Sequence, residues 1–124
     1  MRILMTKWFR RFVRRERLND EVLREALARA ERGQIDADLG GGVIKQRLAR
    51  PGQGRSGGYR VIVLYRAGRR AIFAFGFAKS RKDDLQPDEL EAYRELAKAY
   101  LAVADGAIDK YVADGILAEI SNDE

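Results

Sequence analysis

The sequence predicts an α+β domain: a small antiparallel β-sheet packed on helices, in the order βααβββα with a short C-terminal helix and strand. Three observations carry that prediction. Two apolar stripes at helical spacing precede residue 34, and YRVIVLYR and AIFAFGFAK are β-branched or aromatic runs separated by a glycine turn. A proline-led acidic segment with helical periodicity follows from residue 87. With 124 residues, 46% apolar and 35% charged, the chain reads as a single domain over 1–124, large enough for one core.

Taken in order, Ile3–Met5 is short and apolar, a candidate edge strand. From Lys7, Trp8, Phe9, Phe12 and Val13 recur at helical spacing, with Arg10, Arg11, Arg14 and Arg15 between them. The second helix opens at Asn19 or Asp20, residues suited to an N-cap. It buries Val22, Leu23, Ala26, Leu27 and Ala30, and stops at Gly33. Gly40-Gly41-Gly42 reads as a flexible break before a strand over Val43–Arg50. Pro51–Gly58, rich in glycine, reads as an irregular loop. Strands follow over Tyr59–Arg66 and Ala71–Lys79, joined by a turn at Ala67-Gly68-Arg69-Arg70, and alternation would put Phe73, Phe75 and Phe77 on one face. The Pro87 helix carries Leu90, Tyr93, Ala97 and Tyr100 as its buried stripe and ends at Asp105-Gly106. A short helix at Ala107–Ala113, a break at Gly115 and a weak strand at Ile116–Ile120 complete the chain. Helices gathered on one face would leave the other face or the rim of the sheet open.

The charge is unevenly distributed. Residues 1–82, a basic core, carry 21 Lys/Arg against 7 Asp/Glu, a net of +14. Residues 83–124, an acidic helical segment, carry 3 against 12, a net of −9. From Leu39 to Lys82 there are eleven cations and no carboxylate, the footprint of a polyanion-binding surface. No apolar run approaches the roughly 20 residues that span a bilayer, so no membrane partner is expected. The chain has no Cys and no His. That excludes thiol nucleophiles, disulfides and the commonest metal ligands, and is compatible with cytoplasmic residence. No cofactor and no metal site is expected, because carboxylates are missing from the basic stretch.

Within that stretch, strand alternation puts Lys45 and Arg47 on one face. Arg60 begins the next strand, Lys79 ends the third, and Arg81 and Lys82 lie just beyond. A meander could gather these cations on one concave surface. The same pattern suits a binding surface without catalysis, and the basic N-terminal helix suits solvation or a lipid surface.

The phrases GGGVIKQRLARPGQGRSGGYR and FGFAKSRKDDL, with a hydrophobic strand and a turn between them, resemble the RelE-type toxins of bacterial toxin–antitoxin modules over about residues 40–85. The resemblance implies a small antiparallel sheet against helices and a metal-free endoribonuclease that cuts mRNA on the ribosome, yielding a 2′,3′-cyclic phosphate and a 5′-OH. By position it implies catalytic roles for Lys45, Arg47, Arg60, Lys79 and Arg81. Lys45 is the candidate general base. Arg60 would stabilise the phosphorane. Arg50, Arg55, Arg70 and Lys82 would hold RNA through phosphate contacts. The resemblance also implies a cognate antitoxin, of helix-turn-helix type. Where several relatives place a Tyr or His after the third-strand cations, this chain has Leu85 and Gln86, so general acid duty would fall to Lys79, Arg81 or water. The alternatives are a ParE-like, non-enzymatic gyrase inhibitor of the same fold, or an RNA-binding domain that does not cut.

Overall fold

The computed structural model describes residues 1–50, 54–78 and 85–120, with the backbone alone for residues 50 and 54–57. The order is β1 (Arg2–Thr6), α1 (Lys7–Glu16), α2 (Asp20–Glu31), β2 (Ala37–Gly40), β3 (Val43–Arg50), β4 (Gly54–Arg66), β5 (Arg70–Ala78), α3 (Pro87–Ala102), α4 (Asp105–Ala113) and β6 (Leu117–Ile120). These strands form one sheet ordered β2-β3-β4-β5-β1-β6. Its core is the expected meander, β3–β4–β5, and the expected α+β class holds.

Four features differ from expectation. First, β1 is interior rather than an edge. It pairs with β5 in parallel and with β6 antiparallel, so the sheet is mixed. Second, both faces are covered. Phe9, Phe12, Leu23 and Leu27 of α1 and α2 pack with Ile44, Tyr59, Val61 and Phe73 on one face. Ala97 and Ile108 of α3 and α4 pack with Leu4, Val43, Ile62 and Ile72 on the other. Third, the segment expected to be loop through Gly58 is strand from Gly54, paired with Arg50, because the β3–β4 ladder continues past a bulge between Leu48 and Arg50. Fourth, Asp105-Gly106 opens α4 rather than closing α3, which stops at Ala102.

The aromatic stripe of β5 is also split. Ile62 pairs with Phe75 but Val63 pairs with Phe73, leaving Ala74 as an extra residue. The bulge reverses the phase of the strand: Phe73 stacks on Phe9 at 4.9 Å between ring centroids, whereas Phe75 and Phe77 join the opposite face. Thr6 fastens the bulge, its hydroxyl donating to the Ala74 carbonyl at 2.8 Å while accepting from Phe9 N at 3.2 Å as the N-cap of α1. Next to the bulge, a Cβ at Gly76 would stand 2.5 Å from the Phe12 ring, so only glycine lets α1 approach this closely.

Local signals explain the helices. Asn19 caps α2 by accepting from Val22 N at 3.0 Å, and Glu89 reaches back to Gln86 N at 2.7 Å to close the capping box of α3. The triple glycine, expected as a flexible break, is a β2–β3 turn with all three φ angles positive. It is pressed against α3: a Cβ at Gly42 would lie 2.8 Å from Leu101. Among the described residues, no helix is long and apolar enough to cross a membrane.

Candidate functional site

The hairpins bring three of the sequence-predicted cations together. Arg47 of β3 lies directly across from Arg60 of β4, Arg60 lies across from Phe77 of β5, and Lys45 pairs with Ile62. All share the face that carries Val43, Ile62 and Leu64, the face over which α3 lies. Neighbouring strands are about 4.8 Å apart, so the two arginines stand side by side. Like charges directly opposite on a strand pair are destabilising unless something compensates.

Burial sharpens the conflict. Arg60 is only 7% exposed, Lys45 is half-buried, and Arg47 is exposed. Burial, and then the charge of Arg47, pull the Arg60 guanidinium below its ordinary range, with Asp36 acting in the opposite sense. Its Nη1 donates to the Tyr59 carbonyl at 3.4 Å.

A polar clamp holds β3 in place behind the site. The Arg47 amide donates to Asp36 Oδ2 at 2.7 Å, and its carbonyl accepts from Arg29 Nη2. Arg29, 4% exposed, also pairs with Asp36 at 3.2 Å and with Glu25 at 3.0 Å. The fully buried Gln46 donates to the carbonyls of Ala26 and Gln34 and accepts from Asp36 N at 2.7 Å. Past Ala37, where β2 stops pairing with β3, side chains from α2 and from Asp36 do the work of a strand edge. Arg29, Asp36 and Gln46 were not among the predicted site residues. The signal was available for Gln46: it holds the core parity between Ile44 and Leu48, where a polar side chain requires buried partners.

Arg70 does not join the cluster. It pairs with Arg66 at the far end of β4, six residues from Arg60, or roughly 20 Å along the strand. It is 7% exposed, and its guanidinium donates to the carbonyls of Tyr100 and Val103 at 2.7 and 2.9 Å and to Asp105 at 2.8 Å. The geometry fits a cap on the C-terminus of α3 rather than the expected phosphate contact. Lys79, Arg81 and Lys82 lie outside the described residues, as do the side chains of Arg50 and Arg55. Among the described residues, no group of three or more acidic side chains could hold a metal ion.

An open apolar groove of about 960 Å³ adjoins the site on the same face. Phe75 links the two, 5.9 Å from Phe77 on one side and 6.2 Å from Tyr93 of α3 on the other. Trp8, 65% exposed, and Ile116, 41% exposed, line the groove further out.

The strand register thus sets the buried Arg60 directly opposite the exposed Arg47, with Lys45 two residues along on the same face. Comparison with curated proteins finds no significant match. The family model described as "RelE toxin of RelE / RelB toxin-antitoxin system" matches residues 1–120, thus including the strands that carry Lys45, Arg47 and Arg60 as well as the helices on both faces. The chain belongs to the RelE toxin family, the toxins of RelE/RelB toxin–antitoxin systems.

Proposed function

We propose that the protein is a metal-independent endoribonuclease that cuts mRNA on the ribosome, with the face bearing Lys45, Arg47 and Arg60 as its active site. One observation carries this reading: two arginines, one of them buried, are held opposite each other in a strand pair. Two guanidinium groups side by side suit the charge that develops on an anionic phosphorane. Catalysis of this kind gains most when charge develops in the transition state against donors already in place.

In the proposed reaction Lys45 takes the proton of the ribose 2′-OH, and the 2′ oxygen attacks the adjacent phosphorus. Arg47 and Arg60 stabilise the pentacoordinate phosphate. The bond from phosphorus to the 5′ oxygen breaks, and that oxygen takes a proton from Lys79, Arg81 or water. The products are a 2′,3′-cyclic phosphate and a 5′-OH, so atoms and protons balance without a cofactor. The clamp formed by Arg29, Asp36 and Gln46 supports this reading by fixing the Arg47 backbone. The family also implies an antitoxin as partner, and occlusion of the Arg47/Arg60 face would be sufficient for inhibition.

The test is 5′-end mapping of cellular mRNA after a brief pulse of the wild type and of Arg60→Ala. In-frame cleavage ends produced by the wild type alone are expected. Growth arrest with no new ends would replace this reading with a non-enzymatic toxin such as a gyrase inhibitor.

A further inference from the structure

Strand β5 carries an aromatic ring that neither core absorbs. Of its nine residues, Arg70–Ala78, only Phe75 and Ala78 are not buried. Strict alternation would send Phe75 to the side of Phe73, which is fully buried and stacked on Phe9. The bulge at Ala74, fastened by the Thr6 hydroxyl at 2.8 Å, sends it instead to the face of the cations. A bulge gives up ladder pairing to re-aim side chains, and bulges are over-represented beside active sites. Phe77 follows the same reversal and ends 6% exposed, packed into the core of that face. Phe75 stays half-buried and lines the apolar groove. Packing therefore accounts for Phe77 and leaves Phe75 with uncovered ring surface.

The strand register fixes where that surface lies relative to the chemistry. Arg47, Arg60 and Phe77 form one row across the sheet, and Lys45, Ile62 and Phe75 form the next row on the same face. Phe75 is thus two strand spacings from Lys45, about 10 Å between backbones, a gap that a ribose and its base can bridge. In the reaction proposed above, the ribose beside Lys45 belongs to the nucleotide on the 5′ side of the scissile phosphate. Its base then extends along the row toward Phe75. Tyr93 of α3 walls this place, its ring centroid 6.2 Å from that of Phe75. Glu89 and Glu95 line the groove from α3 and Lys7 from α1, so the balance of charge disfavours a phosphate there. A neutral base with a π-face suits aromatic walls without needing a cation. A protein helix laid in the groove would engage Trp8 and Ile116, but it would leave the row shared by Phe75 and Lys45 without a purpose.

We infer that Phe75, with Tyr93 as its side wall, stacks the base of the nucleotide immediately 5′ of the cut. This rests on the nuclease reading above and adds to it the residue that orients the attacking ribose. With the base held at one end of the row, the 2′ oxygen is set beside Lys45 at the other. Stacking on a ring tolerates any base, so the contact orients the nucleotide and leaves base choice to other groups.

The experiment measures single-turnover cleavage of a synthetic mRNA on purified 70S ribosomes by the wild type, Phe75→Leu, Phe75→Trp and Phe73→Leu. Each protein is also run on mRNA made abasic, with its ribose intact, at the nucleotide 5′ of the mapped cut or at the one 3′ of it. Phe75→Leu keeps an apolar side chain but loses the ring, and should cut intact mRNA about tenfold more slowly, the scale of one base–aromatic stack. Phe75→Trp keeps a ring and should stay within about threefold of the wild type. Phe73→Leu, a change in the opposite core, should lower the melting temperature and leave the rate per folded molecule unchanged. The wild type should lose about tenfold on the 5′-abasic mRNA, and Phe75→Leu should lose nothing further on it, because both changes remove the same contact. The abasic arms need no variant, so they decide the matter even where Phe75→Leu fails to fold. Equal cleavage by the wild type and Phe75→Leu would sink the inference. So would losses that simply multiply, or coupling to the 3′-abasic position in place of the 5′ one. Weaker capture of the co-expressed antitoxin by Phe75→Leu, with cleavage intact, would make the groove a protein-docking surface instead. If the wild type cuts none of the mRNAs, the nuclease reading itself fails and takes the stack with it, whereas cleavage indifferent to Phe75 refutes the stack alone.

Discussion

Arg60 and Arg70 are equally buried, each 7% exposed, and they stand near opposite ends of the β4–β5 hairpin. Their electrostatic settings are opposite. Arg70 is surrounded by acceptors: two carbonyls at the end of α3 and the Asp105 carboxylate. Beside it Arg2 pairs with Asp109 and Glu119 at 2.8 Å each, which holds its guanidinium well above the ordinary range. Arg60 instead faces Arg47 and is pulled below its ordinary range. Carboxylates of the acidic C-terminal segment thus neutralise the Arg2/Arg70 end of the sheet. Equal burial thus leaves the two arginines in different electrostatic surroundings, and strongly perturbed groups are the ones that cluster at functional sites.

The widest break in this comparison comes from truncating each arginine in turn. Arg60→Ala should lower mRNA cleavage by about 10²–10³-fold, the scale of losing a transition-state donor, while leaving the urea midpoint near wild type. Arg70→Ala should do the reverse. It strands two half-buried carbonyls and the helix end, costing about 3 kcal/mol in urea unfolding, with cleavage per folded molecule unchanged. If Arg70→Ala instead abolishes cleavage at full stability, the division between the two ends is wrong.

Asp36→Asn sharpens the contrast at the functional end. It weakens the bonds to Arg29 and to the Arg47 amide without touching substrate. Cleavage should fall about tenfold, through positioning of Arg47. Ribosome affinity should hold, and Asp36→Glu should restore less than half of the loss because the longer side chain shifts the strand.

The smallest effect concerns Asp105. The hydrogen bond from Arg70, followed by the charges of Arg70, Arg2 and Arg69, lowers its carboxyl below the ordinary value of 3.8. A depressed folded-state value means that the contribution to stability is complete above about pH 4 and is lost as pH falls through the folded-state value. The melting temperature should therefore drop less steeply below pH 4 in Asp105→Asn than in the wild type. Equal slopes would show that the salt bridge at this exposed carboxylate contributes nothing, as many surface pairs do.

Much of the architecture was legible because its signals are local. Helical spacing marked α1 and α2, a capping residue and Pro87 marked the starts of α2 and α3, and period-two alternation put Lys45 and Arg47 on one face. Hairpin adjacency then brought Arg60 beside them. The misreadings were non-local. Nothing near Ile3 announces that residues 70–73 and 117–120 will flank it. The Ala74 bulge depends on a hydroxyl from Thr6, so the aromatic alternation of β5 gave no warning of its change of phase. Arg70 resembled the other arginines of the basic stretch because its acceptors arrive from 30 or more residues away.

The pairing of β1 with β6 has a consequence for how the chain matures during synthesis. Residues 43–78 contain their own ladder and can assemble early, but β1 gains its second neighbour only when Ile120 has emerged. At ordinary elongation rates that delay is on the order of seconds. During it the carboxylates that neutralise Arg2 and Arg70 are still arriving, so the nascent molecule is more basic than the finished one. Pulse proteolysis of ribosome-tethered chains, stalled with either Ala113 or Ile120 just outside the exit tunnel, should show protection of residues 1–16 only in the longer chain. Toxicity would then be timed by the last strand, although the proposed active site was laid down well before it.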